Sequence, residues 1–101
     1  MIIREWRGRA VKSNAAAYPQ HFRTKVVPGL QQLPGFLGAH LDHRLVNGKI
    51  EYLVLTKWHS IDVIRGFAGD DIGKAVVEPE VAAALVDFDD RVQHYEVVET
   101  V

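Results

Sequence analysis

The dipeptide Asn47-Gly48 constrains this chain more than any other pair of residues. It separates two long runs, Phe36 to Val46 and Lys49 to His59, and it is favoured in two-residue type I′ turns because both positions need positive φ. A turn that tight fixes the pairing, since Val46 must face Lys49. Counting outward puts Leu37, Ala39, Leu41, His43 and Leu45 opposite Trp58, Thr56, Val54, Tyr52 and Ile50 on one face. Gly38, His40, Asp42 and Arg44 lie opposite Lys57, Leu55, Leu53 and Glu51 on the other, where Arg44 against Glu51 is a favourable charge pair. The first face is apolar enough to carry helices. The second is mixed, and its Leu53 and Leu55 are too apolar to be left in water.

The rest of the chain is read around this hairpin. Ile2 to Val11 interleaves apolar and charged residues and predicts a strand. Ser13 or Asn14 then offers an N-cap oxygen, and Tyr18, Phe22, Val26, Leu30 and Leu33 recur at helical spacing. Pro19 suits an early helical position, Pro28 is expected to bend or break the helix near Val27, and Pro34-Gly35 stops it. Ser60 reads as the N-cap of a second helix with Ile61, Ile64, Phe67 and Ala68 inward, weakened by Gly66 and Gly69. Asp70-Asp71 is expected to start a further turn to Val77, and Pro79 to open a short helix through Ala82–Leu85 at its first position. Phe88 to Val98 predicts the last strand. The order β-α-β-β-α-β is the ferredoxin-like split βαβ pattern, an α+β fold with a four-stranded antiparallel sheet and both helices on one face. Residues 1–101 are expected to form one domain, with the bare face bearing Leu53 and Leu55 covered by a second copy.

Composition removes several function classes. Lys plus Arg number 12 against 13 Asp plus Glu, a net charge of −1, without the basic excess of a nucleic-acid binder. No cysteine is present, so thiolate nucleophiles, disulfides and Cys-based zinc sites are excluded. Met1-Ile2-Ile3-Arg4-Glu5-Trp6 does not read as a signal peptide, and no apolar run nears the ~20 residues of a membrane span. The expectation is a cytoplasmic protein with no membrane and no nucleic-acid partner.

Few motifs carry chemistry. Serine occurs only at 13 and 60, both suited to caps, and no Walker A loop or Gly-x-Gly-x-x-Gly is present. Five histidines stand at 21, 40, 43, 59 and 94. His40-x-Asp42-His43 is not read as a metal site, because His40 and His43 point to opposite faces of a strand, and His40 with Asp42 suits an interface. Trp58 shares the helix-facing side with His43, Tyr52 and Thr56. It is read either as a core aromatic with Tyr52, or as the wall of an apolar pocket holding a few donors. In the second reading Phe22 and Phe67 lie over the pocket and His21 reaches its rim as a candidate base. His94 and Tyr95 face opposite ways, so only one of them can join it.

Leu53-Val54-Leu55-Thr56-Lys57-Trp58-His59-Ser60 followed by Ile64-Arg65-Gly66-Phe67-Ala68-Gly69-Asp70-Asp71 resembles the antibiotic biosynthesis monooxygenase family. Leu33-Pro34-Gly35-Phe36-Leu37-Gly38 and Val92-Gln93-His94-Tyr95-Glu96-Val97 extend the resemblance over nearly the whole chain. The resemblance implies a dimeric α/β barrel, two ferredoxin-like protomers packed sheet to sheet. It also implies either a cofactor-free oxygenase of polyphenols or a haem-degrading enzyme. Trp58 matches the tryptophan of the oxygenases, while their Asn and Tyr fall on Val54 and Ile64. The haem enzymes' first-strand Asn falls on Trp6 and their iron-ligating His on Val77. The reading carried forward is a homodimeric, cofactor-independent monooxygenase of a small phenolic or quinone-type aromatic. Trp58 and His21 are its candidate catalytic residues, and Tyr52, His43, Thr56, Phe22 and Phe67 its substrate contacts. No metal and no cofactor are expected. The alternative is a non-catalytic dimeric barrel that binds a small molecule or haem.

Overall fold

Alternating burial along β1 (Ile2–Val11) and β3 (Lys49–Trp58) sets the architecture, because successive side chains on a strand face opposite sides of the sheet. The computed structural model describes residues 1–101. Tyr52, Val54, Thr56 and Trp58 are buried on one face, while Leu53 and Leu55 on the other are only half-buried. β2 (Phe36–Val46) pairs β3 antiparallel, β3 pairs β1, and β1 then pairs β4 (Asp87–Phe88) and β5 (Gln93–Glu96). The sheet is therefore open and antiparallel, ordered β2-β3-β1-β4, with β5 alongside β4 on the same edge of β1. No helix is long and apolar enough to cross a membrane.

The hairpin forms with the expected turn, since Asn47 has φ 50° and Gly48 φ 76°. Its register follows the outward count from Val46↔Lys49 to Gly38↔Lys57. There it slips. A bulge places Phe36, not Leu37, opposite Trp58, and Leu37 is exposed while the Phe36 ring meets Trp58 edge-on at 5.4 Å. Gly38, at φ 148°, supplies the backbone conformation the bulge needs.

The first helical segment is α1 (Ala17–His21), a π-helical turn Phe22–Val26, and α2 (Val27–Gln31). Pro28 therefore does not break the helix. The wider π turn just before it relieves the clash between a proline ring and the carbonyl one turn back. Neither Ser13 nor Asn14 caps it; both sit in a 3₁₀ turn, and the Asn14 amide donates to the Ala83 carbonyl. Ser60 does cap α3 (Ile61–Ala68), its hydroxyl accepting from Val63 N–H at 3.3 Å. The turn expected at Asp70-Asp71 forms, with Lys74 N–H donating to Asp71 O at 3.1 Å, but does not run on to Val77, and Pro79 precedes α4 (Val81–Ala84) by two residues instead of opening it.

The last strand also differs, being two short pieces where one was expected. Asp89 N–H still donates to Arg7 O of β1, but residues 90–92 join the loop after α3: Ala75 N–H donates to Asp90 and Val92 N–H to Gly73, and Lys74 bridges Arg91. The core lies between the sheet and the helices. Tyr18, Phe22, Tyr52, Val54, Val81 and Leu85 form one cluster, and Leu30, Trp58 and Ile64 a second. Full burial of a side chain such as Ile64 contributes ~1.5–3 kcal/mol.

Candidate functional site

The two clusters do not close completely against each other. A cavity of about 70 Å³ remains between sheet and helices, lined by fourteen residues, ten of them hydrophobic. β1 and β3 supply its sheet side with Arg4, Trp6, Val54 and Thr56. The first helical segment supplies Tyr18, His21, Val26 and Leu30. Phe67, Val81, Val92 and the segment Val76–Glu78 complete it, and the exposed Val76 and Glu78 mark its mouth.

Polar groups in this lining are few. His21 Nε2 is the one buried side-chain polar atom of the protein without a hydrogen-bond partner. Its nearest charged neighbour is Glu78 Oε2 at 3.8 Å, beyond a hydrogen bond. Burial first, and the nearby Glu78 charge second, push the Tyr18 hydroxyl well above its ordinary pKa, so it stays protonated.

Arg4 is 5% exposed, and no ion pair includes it. Its Nη1 donates to Ile72 O at 2.6 Å and to His94 Nε2 at 3.0 Å, and its Nη2 to Lys74 O at 2.9 Å. The guanidinium lies 5.5 Å from the centre of the Phe67 ring. Desolvation brings its pKa down to about 10, so it remains a cation at neutral pH. Arginine only donates, so His94 must present a bare, neutral Nε2. Burial, and secondarily the Arg4 charge, lower the His94 pKa in agreement.

The expected site residues divide between two places. His21, Thr56 and Phe67 line the cavity. Trp58 does not; it is fully buried behind the lining, stacked on Phe67 at 5.4 Å, and its Nε1 donates to Thr56 Oγ1 at 2.8 Å. Its donor is thus spent inside the protein. Tyr52, Phe22 and His43 lie together along a separate surface groove with Leu41 and Asp42. The Tyr52 hydroxyl donates to the Ala15 carbonyl, which keeps it inside the core. Of His94 and Tyr95, it is His94 that turns inward to Arg4, while Tyr95 is exposed.

Arg4, Trp6 and the Val76–Glu78 wall are absent from the sequence-level site. Strand phase could have found the first two, since Arg4 shares the alternation of Trp6, Gly8 and Ala10 and not that of Arg7 and Arg9. The wall carries no periodicity and no motif.

No family model and no curated protein matches the chain. Solved structures do match its fold. A candidate antibiotic biosynthesis monooxygenase from Deinococcus radiodurans superposes with a TM-score of 0.67 at 19% identity, covering 100% of this chain and 96% of the other. The haem degrader MhuD of Mycobacterium tuberculosis, with two haems in its active site, superposes with a TM-score of 0.62 at 22% identity, covering 100% and 99%. A mutant of MhuD holding two manganese protoporphyrin IX per active site gives 0.63, also at 22% identity, covering 100% and 98%. The chain thus has the ferredoxin-like fold of the antibiotic biosynthesis monooxygenase type. At these identities the likeness extends to the fold alone.

The residues present do not fit haem. The cavity of about 70 Å³ is far below the ~300–1,000 Å³ of pockets for larger ligands. Val77, where the resemblance sets the iron-ligating His, presents an alkyl side chain to the cavity.

Proposed function

We propose that this protein is a cofactor-independent monooxygenase of a small phenol, working as a homodimer. The observation that carries the reading is His21 Nε2, a buried nitrogen with no partner at the edge of an apolar cavity. A neutral imidazole there is suited to take the proton of a phenolic hydroxyl. Glu78, 3.8 Å away, would stabilise the imidazolium that results. The phenolate is electron-rich and reduces O₂ itself: phenol plus O₂ gives quinone plus water, with no outside reductant. The protein's part is to hold the ring, remove the proton and exclude water, which the hydrophobic lining favours. Trp58 acts behind that lining, its indole fixing Thr56 by a hydrogen bond and Phe67 by stacking.

Size limits the substrate. The cavity is about half the ~150 Å³ of an engineered cavity that encloses benzene, so a ring must share the mouth between Val76 and Glu78 or part them. Val76 and Val77 make no backbone hydrogen bonds, so between the bonds of Ala75 and Glu78 that wall is held by side-chain packing. Oxygen uptake with a panel of hydroquinones and no added cofactor tests the reading. The unmodified protein should consume O₂, and His21→Ala should lower the rate by ~10²–10⁴, less at high pH where the phenol ionises unaided. A protein inert across the panel, or a His21→Ala variant as active as the parent at every pH, overturns it.

A further inference from the structure

We propose that the cavity binds a small organic monoanion, with the Arg4 guanidinium holding its oxyanion and the apolar lining holding its body. A guanidinium has five N–H groups. Three serve Ile72, Lys74 and His94, leaving the Nε hydrogen and one on Nη2 without a protein partner. Neutral carbonyls and a neutral imidazole satisfy hydrogen bonds, but they leave the positive charge uncompensated. A desolvated cation without a counter-charge is costly, and proteins ordinarily pair one with a carboxylate. Here the one acidic residue in the lining is Glu78, which stands at the mouth beside His21, half in water, with no hydrogen bond to Arg4. Had Arg4 only to tie down the loop at Ile72 and Lys74, a lining cation without an acid beside it would be a poor means of doing so.

The lining also selects the class of anion. One guanidinium, with hydrophobic side chains around it, suits a single carboxylate or an aromatic phenolate, whose planar charge matches its two free donors. A phosphate dianion would bring a second charge, and the lining holds no second arginine or lysine to meet it. This inference rests on the reading that the cavity is the ligand site, and it gives the phenol's proton loss a purpose: the phenolate left by His21 is the anion that Arg4 stabilises.

Binding can be measured without turnover. Benzoate and isobutyrate, titrated into the full chain at neutral pH and followed by calorimetry and tryptophan fluorescence, should bind at least tenfold more tightly than benzamide and isobutyramide. Arg4→Met should abolish that preference, and Arg4→Lys should keep part of it. A phenolate arm uses 4-nitrophenol at a pH near its own ionisation. Its phenolate absorbance should rise on binding to the unmodified protein and not with Arg4→Met. Acids bound no better than amides, or neither bound at millimolar concentration, overturn the proposal. If Arg4→Met does not fold, the acid-to-amide comparison in the unmodified protein and the Arg4→Lys variant still decide. Selective benzoate binding without oxygen uptake would remove the oxygenase and leave the anion site. His21-dependent oxygen uptake without acid selectivity would do the reverse.

Discussion

His94 accepts a hydrogen bond from Arg4 only while its Nε2 is bare, which ties the two residues to pH. Its pKa in the folded protein is lowered from 6.5, chiefly by burial and then by the Arg4 charge. The unfolded chain therefore binds the proton first as pH falls. Stability is fully present above pH 6.5 and declines as pH drops from there through the folded value. Melting temperatures between pH 8 and pH 5 should follow this course, and His94→Gln, whose amide oxygen still accepts from Arg4 but does not titrate, should flatten it. An unchanged slope in the variant would remove His94 from the acid response. No acidic side chain opposes the effect nearby: Arg4 is the group facing the His94 ring nitrogen, and its charge adds to the burial. Side-chain bonding of this kind is not legible in the sequence. Counting along the hairpin places Trp58 on the inner face, yet nothing in the residue pattern says that its indole N–H donates to Thr56.

Gly35 is the position where an element boundary depends most on one residue. It has φ +81°, and a Cβ there would meet both Val63 methyl groups at 2.7 Å. Its carbonyl also accepts from His59 N–H at 2.9 Å, which ties the start of β2 to the end of β3. Gly35→Ala should cost ~1–3 kcal/mol through the strained backbone and the forced shift of Val63. Gly66 in α3 has open space around its Cα, so Gly66→Ala should be neutral or stabilise by ~0.5–1 kcal/mol. The denaturant midpoint should fall for Gly35→Ala and hold or rise for Gly66→Ala; a Gly35→Ala midpoint equal to the parent's would refute this account of the boundary. The elements legible in the sequence share one property: their signals are local. Asn47-Gly48 fixes a register, Ser60 a cap, and the spacing of Tyr18, Phe22 and Leu30 a buried stripe. What the sequence hides depends on distant partners. The last strand divides because residues 90–92 pair with residues 73–75, and the Pro28 break becomes a π turn because the inward side chains Phe22 and Leu30 hold both halves against the sheet. The cavity is half-legible for the same reason: its helix and strand residues follow a period, and the Val76–Glu78 wall does not.

The two faces of the sheet divide the molecule's tasks, since one strand alternation serves both. Even-numbered residues of β1 and β3 build the core and the cavity, while Glu5, Arg7, Arg9, Glu51, Leu53 and Leu55 make the outer face. Most charges on that face are already paired within the chain, Lys49 and Lys57 apart. Arg7 meets Glu5 at 2.5 Å, Arg44 meets Glu51 at 2.8 Å, and Arg9 meets Asp87 and Asp89 at 2.9 and 2.8 Å. Covering the face would therefore strand few unpaired charges, and it would bury the apolar surface of Leu53 and Leu55 that one chain leaves half-exposed. A two-fold related copy is the simplest partner, because such an interface needs only a self-complementary patch. Sedimentation equilibrium should thus give twice the chain mass of 11.3 kDa. Replacing Leu53 and Leu55 together by Lys places like charges against each other across the axis and should yield monomer or aggregate. The cavity lies on the opposite side of the sheet, so a folded monomeric variant should still bind benzoate more tightly than benzamide. Loss of that preference in a folded monomer would mean that the second copy shapes the cavity. An unmodified protein that sediments as a stable, soluble monomer would leave Leu53 and Leu55 without a partner and remove the dimer.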